Sequence, residues 1–364
     1  MRDFKIDAFK TYFAQRFGGQ VEVLNVTELG KDSGSSEQVL KGYGYGTPLL
    51  IELRINGSKR RFVLSTVRPG GFGHERMADR ASILLWEHEA FNLLPKHVKA
   101  VDVGSFTKDG SLKSLGDCEE LFLVREWVDG REYYRDLDRI RMDGFATDLD
   151  FRRVKALADY LAEIHAVKHD APELYVRRIR DLVGQGECLM GLLDSYPSNL
   201  GYIGLRDLLA LEKRSIEWRW RIKSRSHRLS QVHGDFHPWN LLFREGIDFT
   251  ALDRSRGEWG EPADDVSCMT ANYLFYALQQ AGHFRGPFQR LWKTFFDRYL
   301  ERTGDNELFE VIQPFYTWRA LVIASPIWYP NLGLSVRMSL LNFARNVLET
   351  ERFDPDDIDA LLEP

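Results

Sequence analysis

In the segment His233-Gly234-Asp235-Phe236-His237-Pro238-Trp239-Asn240, a carboxylate stands five residues before an amide side chain, and a second carboxylate, Asp253, follows thirteen residues after that amide. An Asn oxygen and a carboxylate are hard donors of the kind Mg²⁺ accepts while substrate phosphates and waters fill its other positions. Leu241-Leu242-Phe243 reads as a short apolar strand, Arg244-Glu245-Gly246 as a turn, and 247–252 as a returning strand. A regular hairpin centred between Gly246 and Ile247 puts Asn240 opposite Asp253, with Cβ atoms roughly 5 Å apart. Asp235, on the loop feeding that hairpin, is placed to accept the proton of an attacking hydroxyl while a metal neutralises phosphates. The pattern suits phosphoryl transfer from a Mg-nucleotide.

The run 233–240 resembles the catalytic loop of the aminoglycoside phosphotransferase and choline kinase family, small-molecule relatives of protein kinases, whose usual form is His-Gly-Asp-x-x-x-x-Asn. Two further segments are similar to that family's motifs: Gly260-Glu261-Pro262-Ala263-Asp264-Asp265-Val266 to Gly-Asp-Pro-x-x-Asp-Leu, and 157–165, ending in His165, to Leu-Ala-x-x-Leu-Ala-x-Leu-His. The resemblance covers about residues 120–270 and implies an α+β, two-lobed protein-kinase-like fold. A small antiparallel β-sheet N-lobe (1–125) would bind nucleotide, and a mainly helical C-lobe (126–364) would carry the catalytic β-hairpin and the acceptor site. It also implies Asp235 as general base with His233 and Asn240 beside it, Mg²⁺ on Asn240 and Asp253, and ATP or GTP as co-substrate. The acceptor would be a small-molecule hydroxyl, aminoglycoside-, sugar- or amino-alcohol-like.

Structural readings stand beside these. His233 either shapes the loop or reaches substrate; Asp264 reads as a helix-start acid that steadies the helix dipole, and His165 as a packed histidine. Leu123 to Gly130 resembles the family's interlobe hinge, so the backbone of Glu126, Trp127 and Val128 would meet adenine, with Leu242 either beneath the base or simply in the core. Gly42, Gly44 and Gly46 suit either a phosphate cradle or a flexible hairpin, and Gly30 to Ser36 competes with them. Phe62-Val63-Leu64-Ser65 occupies the place of a kinase Val-Ala-Ile-Lys strand without its lysine, which leaves Arg68 or Lys41 as substitute cations. That gap keeps open a second reading, a catalytically impaired kinase-like nucleotide-binding or regulatory module.

Trp239 and Trp259 flank the chemistry on loops and offer flat faces to an acceptor ring, whereas Trp318 and Trp328 read as core. Glu258 and Glu261 are available as an acidic wall for a cationic acceptor.

Composition narrows the field. The 364 residues include 49 basic and 54 acidic side chains, a net charge of −5 that argues against a nucleic-acid binder. The arginines of 177–180 and 219–228 read as solvated helix faces or as contacts to a phosphate-bearing ligand. Three scattered cysteines and the lack of a long apolar run point to a soluble cytoplasmic protein without a disulfide framework, zinc site or membrane span. A helix ended by Gly18-Gly19 is expected first, then strands at 21–29, 49–55 and 61–67 with Asn56-Gly57 as a hairpin turn. A helix at 83–94 and an apolar strand at 121–128 follow, and helices dominate thereafter, including 151–165, 207–223 and 266–281.

Overall fold

A computed structural model describes residues 6–29, 48–70, 73–93 and 95–364. The chain divides into two compact units, Met1–Arg125 and Glu126–Pro364.

In the first unit, α1 (Ile6–Phe17) repeats aromatics near helical spacing and buries Phe9, Tyr12 and Phe13. They pack on an antiparallel sheet of β1 (Val21–Glu28), β2 (Leu49–Ile55) and β3 (Ser58–Leu64), whose buried face carries Leu49, Ile51 and Leu53. Ile55 pairs with Ser58 across Asn56 (φ 46°) and Gly57 (φ 81°). Two left-handed residues form a primed two-residue turn, which matches the twist of the strands it joins. The helix expected at 83–94 is α2 (Met77–Ala90), set earlier because the Arg76 backbone N–H donates to the Asp79 carboxylate at 2.8 Å and fixes the first turn. A small hairpin of β4 (Gly104–Phe106) and β5 (Leu112–Ser114) follows.

The apolar strand expected at 121–128 is absent. Residues 118–130 carry no regular structure, and Phe122, Leu123, Val124 and Trp127 are exposed. A strand needs a neighbour to pair its backbone, and among the described residues none pairs this segment, so its β-propensity goes unused.

The second unit begins with β6 (Arg131–Glu132), α3 (Tyr134–Asp143), α4 (Asp148–His165), α5 (Pro172–Gly184), α6 (Leu189–Asp194) and α7 (Leu205–Ile222). The chain then forms β7 (Ser230–Gln231), β8 (Leu241–Phe243), β9 (Phe249–Ala251) and β10 (Trp259–Gly260). It closes with α8 (Pro262–Ala281), α9 (Pro287–Thr303), α10 (Gln313–Ala324), α11 (Leu334–Asn346) and α12 (Ile358–Leu362). Every α8 residue from Pro262 to Leu278 is buried, so this helix runs through the core and packs against α3, α4, α9, α10 and α11. A helix buried all round can place polar groups from its first turn inside the protein, where they must find partners. Among the described residues no helix is long and apolar enough to cross a membrane.

Candidate active site

β6, β8 and β9 form a three-stranded antiparallel sheet, and β8 and β9 are the expected hairpin. Its register differs from the expected one by a residue. Leu241 pairs with Ala251, the Leu252 N–H donates to the Asn240 carbonyl at 2.7 Å, and the Arg244 N–H donates to the Asp248 carbonyl at 2.9 Å. The turn is therefore a three-residue loop centred on Gly246, which sits at φ 72°, and Leu252 rather than Asp253 lies opposite Asn240. Asp253 follows at φ 55°, a left-handed conformation uncommon outside glycine, so the chain turns off the strand direction there.

The donor chemistry of Asn240 and Asp253 fits a hard cation. Asn240 closes a short 3₁₀ turn, Pro238–Asn240, and its Nδ2 donates to the Asp235 carbonyl at 3.1 Å. That bond leaves the amide oxygen without a hydrogen bond among the described residues. The exposed Asp253 carboxylate likewise has no hydrogen-bond or ion-pair partner there. Two such oxygens suit Mg²⁺ carrying a nucleotide, because phosphates and waters complete its shell.

The loop holding Asp235 is fixed from α8. Asp265, fully buried in the first turn, accepts hydrogen bonds from the backbone N–H groups of His233 and Gly234, both at 2.7 Å. His165 Nε2 lies 3.1 Å from the same carboxylate while its Nδ1 meets the Tyr299 hydroxyl at 2.8 Å, so the histidine is a packed link. Burial acts to raise the Asp265 carboxyl, but His165, His233 and the loop amides outweigh it and keep the pKa below the ordinary range. Gly234 sits at φ 86°, and a side chain there would approach Arg256 Cβ to 3.1 Å, so glycine is required by both conformation and space. His233 is buried, and its Nδ1 accepts from the Asp235 N–H at 3.3 Å, a loop-shaping contact.

Asp235 is surrounded by cations. Arg319 Nη1 donates to its Oδ1 at 3.0 Å, Arg256 Nε lies 3.9 Å from the same oxygen, and His237 Nε2 lies 3.5 Å from Oδ2. Burial is the largest single influence and acts to raise the pKa. The His237 ring and the Arg319 and Arg256 guanidiniums together overcome it and hold the carboxyl well below the usual carboxylate range. Arg319 also donates to the Gly234 carbonyl at 3.1 Å and to Asp264 Oδ1 at 2.6 Å. Asp264 is thus more than a helix-start acid: it is the second anion of a buried Asp–Arg–Asp cluster. Burial lifts its carboxyl above the ordinary range even so. Sequence reasoning missed Arg319. Its only signal is a lone cation in the otherwise apolar middle of α10, where burial demands an anionic partner.

Several expected acceptor residues are otherwise engaged. Glu261 is buried and caps α8 by accepting from the Ala263 N–H at 3.2 Å; its carboxylate binds Arg228 Nη2 at 2.7 Å and the Tyr175 hydroxyl at 2.8 Å. It is therefore no part of an open acidic wall. Trp259 pairs with Gln231 and lies half-buried, its ring stacked on His169 with centroids 4.6 Å apart, so one face is already covered. Trp239 is 36% exposed and stacks on Tyr134 at 5.2 Å. Glu258 is exposed. Trp318 is core as expected, whereas Trp328, expected to be buried, is exposed in the turn after α10.

Leu242 is half-buried in β8 opposite Glu132 and Thr250, and a side chain at Gly130 would approach its Cβ to 2.7 Å. Glu126 and Trp127 are exposed, with Val128 partly covered, on the irregular segment leading to β6. Arg68 is exposed beyond the end of β3, as is Ser65. Lys41, Gly42, Gly44, Gly46 and the 30–36 segment lie outside the described residues.

The phosphotransferase enzyme family matches the chain over residues 53–302. Among solved structures, an ethanolamine kinase from Plasmodium vivax is 14% identical over 94% of this chain and 80% of its own, with a TM-score of 0.37. A choline kinase from Streptococcus pneumoniae is 13% identical over 94% and 98%, also at 0.37. An amicoumacin kinase, solved with AMP-PNP, is 14% identical over 92% and 91%, at 0.43. No curated protein sequence matches the chain.

Proposed function

We propose that this chain, which belongs to the phosphotransferase enzyme family, moves the γ-phosphate of ATP to a hydroxyl of a small molecule, with Asp235 orienting that hydroxyl. The observation that carries this reading is the pair of hydrogen bonds that the Asp265 carboxylate accepts from the His233 and Gly234 amides, which fixes the loop presenting Asp235 next to Asn240. A pre-set carboxylate matters because phosphoryl transfer asks the protein mainly for positioning and charge stabilisation.

With its pKa held down, the Asp235 carboxylate is ionised throughout the neutral range. It is a weak proton acceptor before transfer and a good hydrogen-bond acceptor for the attacking hydroxyl. In a loose transition state the hydroxyl keeps its proton until late, so orientation dominates, and the carboxylate takes the proton as the new P–O bond forms. Asn240 Oδ1 and the Asp253 carboxylate would hold Mg²⁺, which when bound with the nucleotide neutralises charge on its phosphates. Leu242 and the backbone of Glu126, Trp127 and Val128 are assigned to the adenine, and Trp239 to the acceptor.

Ser65, standing where the related kinases carry a lysine, favours a second reading as a catalytically impaired nucleotide-binding module. Purified protein incubated with Mg-ATP or Mg-GTP and a panel of sugars, amino alcohols and aminoglycosides separates the two. Acceptor-dependent release of nucleoside diphosphate supports the enzyme; tight Mg-ATP binding with no release on any acceptor supports the module.

A further inference from the structure

Two guanidiniums near the Asp235–Arg319–Asp264 cluster lack hydrogen-bonded anions. Arg256 reaches Asp235 only at 3.9 Å and the exposed Glu187 only at 3.7 Å, both longer than a hydrogen bond. Its Nε and Nη1 are buried without any hydrogen-bond partner, while its Cζ sits 4.6 Å from the Trp318 ring centroid. Arg178, half-buried on α5, has no hydrogen-bond or ion-pair partner among the described residues. It lies against β10, where a side-chain carbon at Gly260 would stand 3.5 Å from Arg178 Nε, an ordinary contact distance. Arg256 packs on the Asp235 loop, where a side-chain carbon at Gly234 would stand 3.1 Å from its Cβ, and both guanidiniums, with Arg319, favour the ionised form of Asp264 although burial prevails.

The buried acids nearby are occupied, while Asp253 and Glu258 stand exposed. Glu261 is bound to Arg228, Asp265 to the loop amides and His165, and Asp264 to Arg319. Among the buried groups, an acceptor would meet the Arg256 Nε and Nη1 without hydrogen-bond partners, whereas the buried carboxylates already have theirs. Buried guanidinium N–H groups without acceptors are costly, and an anionic oxygen group offers paired acceptors in matching fork geometry. Resting on the phosphotransfer reading, we propose that the acceptor carries an anionic oxygen group, a carboxylate or a phosphate monoester, bound by Arg256 and Arg178 while its hydroxyl meets Asp235.

The test is calorimetry on the full chain saturated with Mg-ADP, which fills the nucleotide's phosphate site. The probes are gluconate, glycerate, glucose 6-phosphate and glycerol 3-phosphate, set against glucose, glycerol, glucosamine and ethanolamine. At least one anion should bind about tenfold tighter than its uncharged and cationic counterparts, and the preference between the two anion types tells carboxylate from phosphate. Arg178→Ala should lower that affinity about tenfold and Arg178→Glu should abolish it, with Mg-ADP affinity unchanged. Neutral or cationic compounds binding as well as the anions would overturn the proposal, as would variants that keep the parent's anion affinity or that weaken Mg-ADP instead. A parent that binds Mg-ADP but no anion overturns this inference alone; one that binds no Mg-ADP overturns the phosphotransfer reading as well.

Discussion

Arg319 Nη1 lies 3.0 Å from Asp235 Oδ1, so a cation 84 residues along the chain, from the middle of α10, holds the carboxylate of the 233–240 loop. The same guanidinium binds Asp264 at 2.6 Å, which ties α10, α8 and the loop together in one buried cluster. Removing one partner from a buried ion pair leaves an uncompensated charge, at a cost of about 3–5 kcal/mol.

Arg319→Met should therefore lower the melting temperature substantially and change the pH profile. The folded Asp235 carboxyl lies below its ordinary value, so the stability it contributes is present above about pH 4 and lost as the pH falls through the folded pKa. In the parent, Asp235 should impose no acid limb on turnover near neutral pH. In Arg319→Met the folded pKa rises and the limb should move toward neutrality; an unchanged profile would show that Arg319 does not tune the carboxylate.

Asp265→Asn should loosen the loop more than it harms the fold. Asn keeps one acceptor oxygen where the carboxylate served two amides and His165, a loss of about 1.5–3 kcal/mol for a hydrogen bond to a charged group. Turnover should fall with little change in Mg-ATP affinity. The Asp265 carboxyl is also depressed, so its contribution fades as the pH drops below about 4, and acid unfolding of the parent should be steeper than that of the variant. Coincident acid transitions in the two proteins would argue against the clamp.

Asp253→Ala and Asn240→Ala should weaken nucleotide binding in the presence of Mg²⁺ and leave the Mg²⁺-free affinity close to the parent's, because each removes one oxygen donor. Titration of ATP with and without Mg²⁺ measures both. Equal losses with and without the ion would remove these residues from the metal.

Trp259→Ala should act on stability. One face of the ring is covered by His169 at 4.6 Å and the side chain packs against the core, so truncation should cost roughly 2–3 kcal/mol, somewhat less than a fully buried tryptophan. Acceptor KM should stay near the parent value. A raised acceptor KM with an unchanged melting temperature would return the ring to the acceptor site.

Much of the site was legible because it is local. The loop from His233 to Asn240, the strands around Gly246 and the start of α8 lie within about thirty residues and carry turn and strand signals. The hairpin register departs from the expected one by a residue because a hairpin closed by two residues and one closed by three share the same sequence signals, and only the left-handed Gly246 separates them. The strand expected at 121–128 failed for a different reason: β-propensity says nothing about whether a partner strand is present. Arg319, Arg256 and the pairing of Glu261 with Arg228 were illegible because each contact depends on how α5, α8 and α10 pack. The buried Asp264 belongs to the same class, since an acid at a helix start is ordinary until an arginine from another helix is found against it.

The most direct measurement is nucleoside diphosphate release by Asp235→Asn beside the parent, with Mg-ATP binding measured in parallel. The amide keeps the shape of the side chain but removes the charge proposed to orient the hydroxyl and accept its proton. Turnover on any acceptor the parent uses should fall at least about 10²-fold, with Mg-ATP affinity nearly intact. Near-parent turnover in the Asp235→Asn variant would contradict the assignment of Asp235 and with it the proposed phosphotransfer site.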